Sequence, residues 1–219
     1  GGSSGMGKAM ALAFAKAGSN IVFTYNTKKT EAAKVESQIK KMGVDALAME
    51  VDLQSEPDIE NLFKQVANEF KKLDILINNA GINRPRELFA MSTWRETFQV
   101  NLFAAVFCSE KAIELMKNGG KIINISSIYA EGKACFKGLA AYGASKAALS
   151  HFTQTLAKNL APNTLVNAIA PGYVQTPLWE DTSEADFIAS GKEQLIDRMI
   201  MPEEIASMAV VIAENDAMT

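Results

Sequence analysis

Tyr142 and Lys146 stand four residues apart in a stretch, residues 141–160, whose apolar spacing is helical. Residues four apart share a helix face, so the phenol and the ammonium project to the same side. A free phenol has a pKa of about 10, too high for acid–base exchange at neutral pH. A neighbouring cation favours the phenolate, and lowering the pKa by about 3 units takes roughly 4 kcal/mol of differential stabilisation. The pair is also what an ordinary exposed helix face carries. Ser126-Ser127 closes an apolar run at residues 121–125. Hydroxyls at the C-terminal end of a strand lie where open α/β sheets place ligands, and they equally suit a loop-starting turn. Asn101 falls inside a second helical pattern, residues 93–117, an unfavourable place for a side chain that competes with backbone hydrogen bonds. It is either exposed there or holding a water.

Gly1-Gly2-Ser3-Ser4-Gly5-Met6-Gly7 leads into a helical run, residues 8–17, with Met10, Ala13, Phe14 and Ala17 on its apolar side. Glycines there permit a tight turn and let backbone amides approach a phosphate at the helix N-terminus. Three readings compete: a glycine-serine tag scar, a P-loop, and a dinucleotide-binding loop. Gly2, Gly7 and Lys8 fit G-x-x-x-x-G-K, but Ala9 follows where a P-loop needs Ser or Thr for magnesium. Glycines at positions 1, 5 and 7 depart from the usual G-x-G-x-x-G spacing, so a dinucleotide loop needs support from elsewhere in the chain.

The 219 residues are 48% hydrophobic and 21% charged, with net charge −3. This is a globular balance without the basic footprint of nucleic-acid binding. No apolar run approaches the roughly 18–20 residues of a membrane-spanning helix, and the Gly-Ser start does not resemble a secretory signal. Two cysteines, Cys108 and Cys135, make neither a disulfide framework nor a four-cysteine zinc site. Both are expected as small buried hydrophobes in a reducing cytoplasm. His151 is the only histidine, so a multi-histidine metal site is excluded and no metal is expected. It lies roughly 140° round the helix from Lys146 and is expected to be structural or at an interface.

The elements that must position these groups follow from an alternation of short apolar runs and longer helical ones. Strands are predicted at residues 21–25, 44–49, 73–77, 121–125 and 165–169. Ala32, Val35, Ile39 and Met42 mark one intervening helix; Ile59, Leu62, Phe63, Val66 and Phe70 mark the next, with Pro57 in its first turn. The nearly continuous apolar run at 73–77 is expected to be covered on both faces. Thr93 and Glu96 have capping-box spacing, Gly119-Gly120 ends that helix, and Pro202 opens a last one with Ile205, Met208, Ala209 and Ile212 inward. The rhythm predicts an α/β fold: a doubly wound parallel sheet with helices on both faces, one domain over 1–219. Residues 179–200 include a polar stretch that reads as a surface loop or as a lid over the substrate side.

Taken in order, Gly1-x-x-x-Gly5-x-Gly7, Asn78-Asn79-Ala80-Gly81, Asn101, Ser127, Tyr142-x-x-x-Lys146 and Pro171-Gly172 resemble the short-chain dehydrogenase/reductase family over essentially the whole chain. Within that family the pattern most resembles the 3-oxoacyl-(acyl-carrier-protein) reductases. The resemblance implies a Rossmann-like, NAD(P)-dependent oxidoreductase that moves a hydride between nicotinamide and a carbonyl or secondary alcohol. It implies Tyr142 as general acid or base, and Lys146 as holder of the nicotinamide ribose and depressor of the Tyr142 pKa. Ser127 would bond the substrate oxygen, and Asn101 would anchor a proton-relay water. Cofactor contacts are implied from Gly1, Ser3, Ser4, Gly5 and Met6 in the glycine loop, and from Asn26 and Lys28 after the first predicted strand. Further contacts are implied from Asp52 and Leu53 near adenine, and from Asn79 and Gly81 beside the adenosine ribose. Pro171, Gly172, Val174 and Thr176 would flank the carboxamide, with Tyr142 and Lys146 completing the set. Pro171-Gly172 equally marks a plain strand stop, and Asp52 a helix-side cap.

No carboxylate follows residues 21–25 to accept from a ribose 2′-OH; Asn26 and Thr27 do, with Lys28 and Lys29 behind them. NADP(H) is therefore expected over NAD(H), although Ser4 stands where many NADP-dependent relatives carry a basic residue. A 3-oxoacyl thioester of fatty acid biosynthesis is the expected substrate. Arg84, Arg86, Lys133 and Lys137 are either the greeting for an acidic acyl carrier protein or scattered surface charges. A sugar, polyol or hydroxysteroid dehydrogenase, a non-catalytic dinucleotide-binding module and a P-loop hydrolase are the alternatives. The interval between Ser127 and Tyr142 is slightly longer than is common in the family, the extra residues falling within 131–138. The resemblance further implies a cytoplasmic homotetramer packed through the helices containing Asn101 and Tyr142. It also implies a strand before Gly1 and another after Thr219, so the sequence is expected to be part of a longer natural chain.

Overall fold

In the computed structural model, which describes residues 1–85, 88–131, 135 and 137–219, parallel strands alternate with helices along the chain. The order is α1 (Gly5–Lys16), β1 (Ile21–Tyr25), α2 (Lys29–Lys40), β2 (Ala46–Glu50), α3 (Glu56–Phe70), β3 (Ile75–Asn78), α4 (Met91–Phe98), α5 (Ala104–Leu115), β4 (Gly120–Ile125), α6 (Ala140–Leu160), β5 (Thr164–Ile169), α7 (Glu184–Lys192) and α8 (Pro202–Glu214). A π-helical segment, Gln99–Phe103, joins α4 to α5. This α/β, Rossmann-like alternation is the one the sequence predicts. Two compact units emerge, residues 1–50 with 171–211 and residues 51–170 with 212–219. Among the described residues no helix is long and apolar enough to cross a membrane.

In the first unit β1 and β2 pair in parallel, with Ile21 opposite Ala46 and Tyr25 opposite Glu50. Parallel strands need a crossover, and α2 supplies it. Its Ala32, Val35 and Ile39, spaced three and four apart, are fully buried against Phe23, Tyr25, Ala11 and Ala15. Gly2 lies so close to β1 that a Cβ there would stand 2.6 Å from the Phe23 Cβ. The polar stretch after Trp179 contains α7, a helix that the polar composition concealed. Ser183 starts it: its Oγ accepts from the Asp186 N–H at 3.1 Å and donates to the Asp186 carboxylate at 2.7 Å.

In the second unit the order is β3-β4-β5, all parallel, with Asn78 opposite Asn124 and Ile125 opposite Ile169. Ile122, Ile123, Asn124 and Ile125 are consecutive and all buried, so β4 is covered on both faces as a central parallel strand must be. β3 was expected to be equally enclosed, yet each of its residues is only half-buried. It is the edge of its three-stranded sheet, paired among the described residues with β4 alone. A buried polar ladder crosses the layers. Asn78 Nδ2 donates to Asn124 Oδ1 at 2.8 Å and to Ser109 Oγ on α5 at 3.2 Å, and Asn124 Nδ2 donates to Thr153 Oγ1 on α6 at 2.9 Å.

The predicted capping box is not the start of the helix at 93. Thr93 already lies inside α4, its N–H bonded to Ala90 O at 2.9 Å, and the cap residue Ala90 contributes no side-chain bond. Pro57 stands in the first turn of α3 as read, and the Ser55 hydroxyl, which was not singled out, accepts from the Asp58 N–H at the start of that helix. Of the cysteines only Cys108 is buried; Cys135 is exposed, because it falls in the connection before α6 rather than on a packed face.

Candidate active site

The second unit gathers Gly81, Asn101, Ser127, Tyr142 and Lys146 around one hydrogen-bonded cluster. Ser126 and Ser127 leave β4 together and divide the work. The buried Ser126 Oγ donates to Lys146 O at 3.2 Å and meets Ser150 Oγ at 2.6 Å, which ties the strand end to α6. Ser127, in extended backbone, caps a short 3-10 turn by accepting from the Tyr129 N–H at 3.2 Å, and its hydroxyl is hydrogen-bonded to the Tyr142 phenol. Gly143 lets α6 close on that turn, since a Cβ there would come within 3.1 Å of Tyr129 O. The Tyr129 ring stands edge-on to Tyr142, with centroids 5.7 Å apart.

Burial pushes the Tyr142 phenol above its ordinary value; the Ser127 hydrogen bond pulls it down, and the neighbouring Tyr129 phenol pushes it up. The sequence led us to expect a phenol depressed by Lys146, and the geometry gives the reason for the difference. Lys146 is 3% exposed, its ammonium donates to Ile125 O at 2.7 Å, and it lies 5.9 Å from the Tyr142 ring centroid. Burial brings the lysine itself down to about 8, so it still carries its proton at neutral pH, and the phenol's own burial keeps the phenol protonated there as well.

Asn101 is buried, 1% exposed. Its Oδ1 accepts from the Ile82 N–H at 2.8 Å, and its Nδ2 donates to Ile82 O at 3.0 Å and to Ser145 Oγ at 3.1 Å. Ser145 in turn donates to Tyr142 O at 2.7 Å. The asparagine therefore fastens the Gly81-Ile82 turn to α6, and it does so from the π-helical segment, a distortion that often accompanies functional sites. At Gly81 a Cβ would stand 3.3 Å from Asn101 Oδ1 and 3.4 Å from Lys146 Nζ; the missing side chain leaves a cradle in front of the lysine. Asn101→Leu strips partners from both polar groups of Ile82, so unfolding free energy should fall by about 2–3 kcal/mol. An unchanged urea midpoint would refute that role. Tyr129, Ile82 and Ser145 were not singled out from the sequence, although Ser145 is visible as the residue before Lys146 on the same helix.

In the first unit the glycine loop opens α1. Gly5 has φ +54°, a conformation that favours glycine, and its Cα faces Thr176, whose Cβ is 3.4 Å from where a Gly5 Cβ would be. Ser4 occupies the cap position without a side-chain cap bond, Ser3 is buried, and no acidic residue lies in the first turn. Ser4, Gly5 and Met6 thus present main-chain amides at the positive end of a helix, which fits the pyrophosphate of a dinucleotide, whereas the Gly2 N–H is bonded to Thr24 O at 2.7 Å and the Gly1 amine to Thr24 Oγ1 at 2.9 Å. Asn26 and Lys28 are both exposed just after β1. Pro171, Tyr173 and Val174 are buried beside the half-buried Gly172 and Thr176.

Asp52 and Leu53, in the second unit, occupy the turn before α3. Asp52 Oδ1 accepts from the Gln54 N–H at 2.9 Å, a local turn bond, while Ser55 caps the helix. Asn79 follows β3, its N–H bonded to Ile77 O at 3.1 Å. His151 is exposed on α6. Of the basic residues, Arg84 pairs with Glu96 at 3.5 Å and Lys137 is exposed; Arg86 and Lys133 lie outside the described residues. No group of three or more His, Cys, Asp or Glu side chains among the described residues is arranged to hold a metal.

A family model described as Enoyl-(Acyl carrier protein) reductase matches residues 1–219. The 3-oxoacyl-(acyl-carrier-protein) reductase FabG of Aquifex aeolicus is 36% identical over 217 residues, covering 96% of this chain and 86% of that protein. The 3-oxoacyl-(acyl-carrier-protein) reductase of a Synechocystis strain is 34% identical over 224 residues, covering 99% and 88%. A short chain dehydrogenase from Burkholderia cenocepacia, solved in complex with NADP, superposes with a TM-score of 0.92 at 31% identity, covering 99% of this chain and 89% of that one. The P-loop reading, already weakened by Ala9, has no place beside these matches. The chain belongs to the short-chain dehydrogenase/reductase family and is an NAD(P)-dependent oxidoreductase.

Proposed function

We propose that this chain reduces a 3-oxoacyl thioester with NADPH. The observation that carries the reading is the Tyr142 phenol, hydrogen-bonded to Ser127 and backed by the buried Lys146. When bound, the nicotinamide supplies the hydride. Charge then develops on the substrate oxygen, and the hydroxyls of Ser127 and Tyr142 are the donors that stabilise it. Tyr142 gives its proton to that oxygen, completes the alcohol, and recovers a proton from solvent. Lys146 and Asn101 hold the surrounding frame, Lys146 at the end of β4 and Asn101 at the Gly81-Ile82 turn. In the reverse direction Tyr142 must first lose its proton, so alcohol oxidation gains with rising pH.

Gly1, Ser3, Ser4, Gly5 and Met6 would hold the pyrophosphate, and Asn26 and Lys28 the adenosine ribose. Asp52, Leu53, Asn79 and Gly81 would line the adenosine, and Pro171, Gly172, Val174 and Thr176 the carboxamide. The relatives named as 3-oxoacyl-(acyl-carrier-protein) reductases support the substrate, and the NADP complex of the Burkholderia protein supports the cofactor. Residues 179–200 are the proposed substrate-side lid. A homotetramer in the cytoplasm, packed through the helical stretch that contains Asn101 and continues into α5, and through α6, completes the reading; the exposed Phe103 and Val106 on the first of these favour it.

Two measurements test this. NADPH absorbance should fall with an acetoacetyl thioester; oxidation of a sugar, polyol or hydroxysteroid in its place would replace the substrate, and tight NADPH binding with no turnover on any carbonyl would leave a binding module. Replacing both Lys28 and Lys29 with Ala should raise the KM for NADPH roughly tenfold, because these exposed cations after β1 would attract a 2′-phosphate. NADH kinetics should hardly move. Equal losses for the two cofactors would sink the NADP assignment.

A further inference from the structure

Gln194 lies just beyond α7, and its side-chain amide makes both hydrogen bonds that a neighbouring strand would make. Oε1 accepts from Tyr173 N at 3.0 Å, and Nε2 donates to Tyr173 O at 3.1 Å. Nε2 also donates to Arg198 O at 2.8 Å. Main-chain pairing takes over one step further on: Ile200 N donates to Tyr173 O at 2.8 Å, and Gln175 N donates to Ile200 O at 2.9 Å. A side chain thus pairs the Tyr173 N–H, which the Ile200 strand segment does not bond, and shares Tyr173 O with Ile200 N.

Gly172 carries the imprint of this arrangement. A Cβ there would fall 2.3 Å from Gln194 Oε1, far inside contact distance, while the φ of Gly172 lies outside the left-handed region that by itself calls for glycine. The glycine is therefore required by the seat of the amide. Other anchors hold the same stretch without Gln194. The Tyr173, Trp179 and Phe187 rings stack edge-on at 5.7 and 5.9 Å, and Arg198 grips Glu204 through two 2.7 Å bonds.

We propose that Gln194 is a positioning residue for the nicotinamide half of the dinucleotide. It acts by fixing the Tyr173 peptide, and through it the backbone of Val174 and Thr176. The inference rests on the reading above that Val174 and Thr176 flank the carboxamide, and it adds a residue from the lid to that site. Loss of the two bonds frees main-chain torsions that binding must then order again.

Titration of the purified chain with NADPH and with 2′,5′-ADP, which lacks nicotinamide, provides the test. Gln194→Met should weaken NADPH roughly tenfold and leave 2′,5′-ADP within about twofold. Gly172→Ala displaces the amide and should do the same, and the double variant should lose about as much as either single one, not the product. Parallel weakening of both ligands, unchanged NADPH binding by Gln194→Met, or multiplicative losses would each overturn the proposal. A wild-type chain that binds neither ligand fails the cofactor reading as well; one that binds both while Gln194→Met matches it fails this proposal alone.

Discussion

Tyr142→Phe is expected to lower kcat for carbonyl reduction by about 10³-fold, while the dissociation constant for NADPH stays within about twofold of wild type. The substitution removes one oxygen and keeps the ring, so the edge-on contact with Tyr129 and the packing of α6 survive. What disappears is the proton that the substrate oxygen must receive once the hydride has arrived. Burial keeps the phenol above its ordinary value, so wild-type enzyme meets substrate at neutral pH with that proton in place, the form reduction needs. Ser127 still offers a hydrogen bond to the developing charge, which leaves a residual rate. Ser127→Ala should accordingly cost less than Tyr142→Phe. Turnover retained by the phenylalanine variant, measured as NADPH consumption, would remove Tyr142 from the role of acid.

The parts of this site that follow from chain periodicity were legible in the sequence. Tyr142 and Lys146 share a face because a helix returns every 3.6 residues, and Ser127 is placed by the end of an apolar strand. Asn101 was visible as an anomaly but not as a function, because its role depends on Ile82 and Ser145, which meet it only in the fold. No spacing rule anticipates the π-helical segment that carries it. Thr93 misled for a related reason: the capping-box pattern was present, but the helix had already begun at Met91.

Electrostatics were harder to read than position. Sequence gives a cation one turn from a phenol and suggests a depressed pKa. It does not say that both groups are buried, and burial raises the phenol and lowers the lysine. Gln194 was invisible for the plainest reason. A side chain that pairs with main chain 21 residues away leaves no periodic signal, and Gly172 alone reads as a strand stop.

Lys146→Met should make the protein more stable at pH 7 while it loses activity. In the folded chain Lys146 titrates at about 8, against a usual 10.5. Below about pH 8 the lysine is protonated in both states, and the folded state bears the full cost of a buried charge, on the order of 3 kcal/mol. Between about pH 8 and 10.5 the unfolded chain binds more protons than the folded one, so wild-type stability rises with pH in that window. Methionine matches the length of the stem and carries no charge. Against its gain stands the lost bond to Ile125 O, about 1–2 kcal/mol, so a net stabilisation on the order of 1–2 kcal/mol remains at pH 7. That advantage should shrink steadily as pH rises from about 8 towards 10.5. Denaturant unfolding of the two proteins across this range measures the difference directly, and titrations common to both cancel. A variant less stable than wild type at pH 7, or an advantage that grows with pH, would show that the bond to Ile125 outweighs desolvation. In the expected case the lysine is kept against the interest of the fold, which is the mark of a residue retained for chemistry.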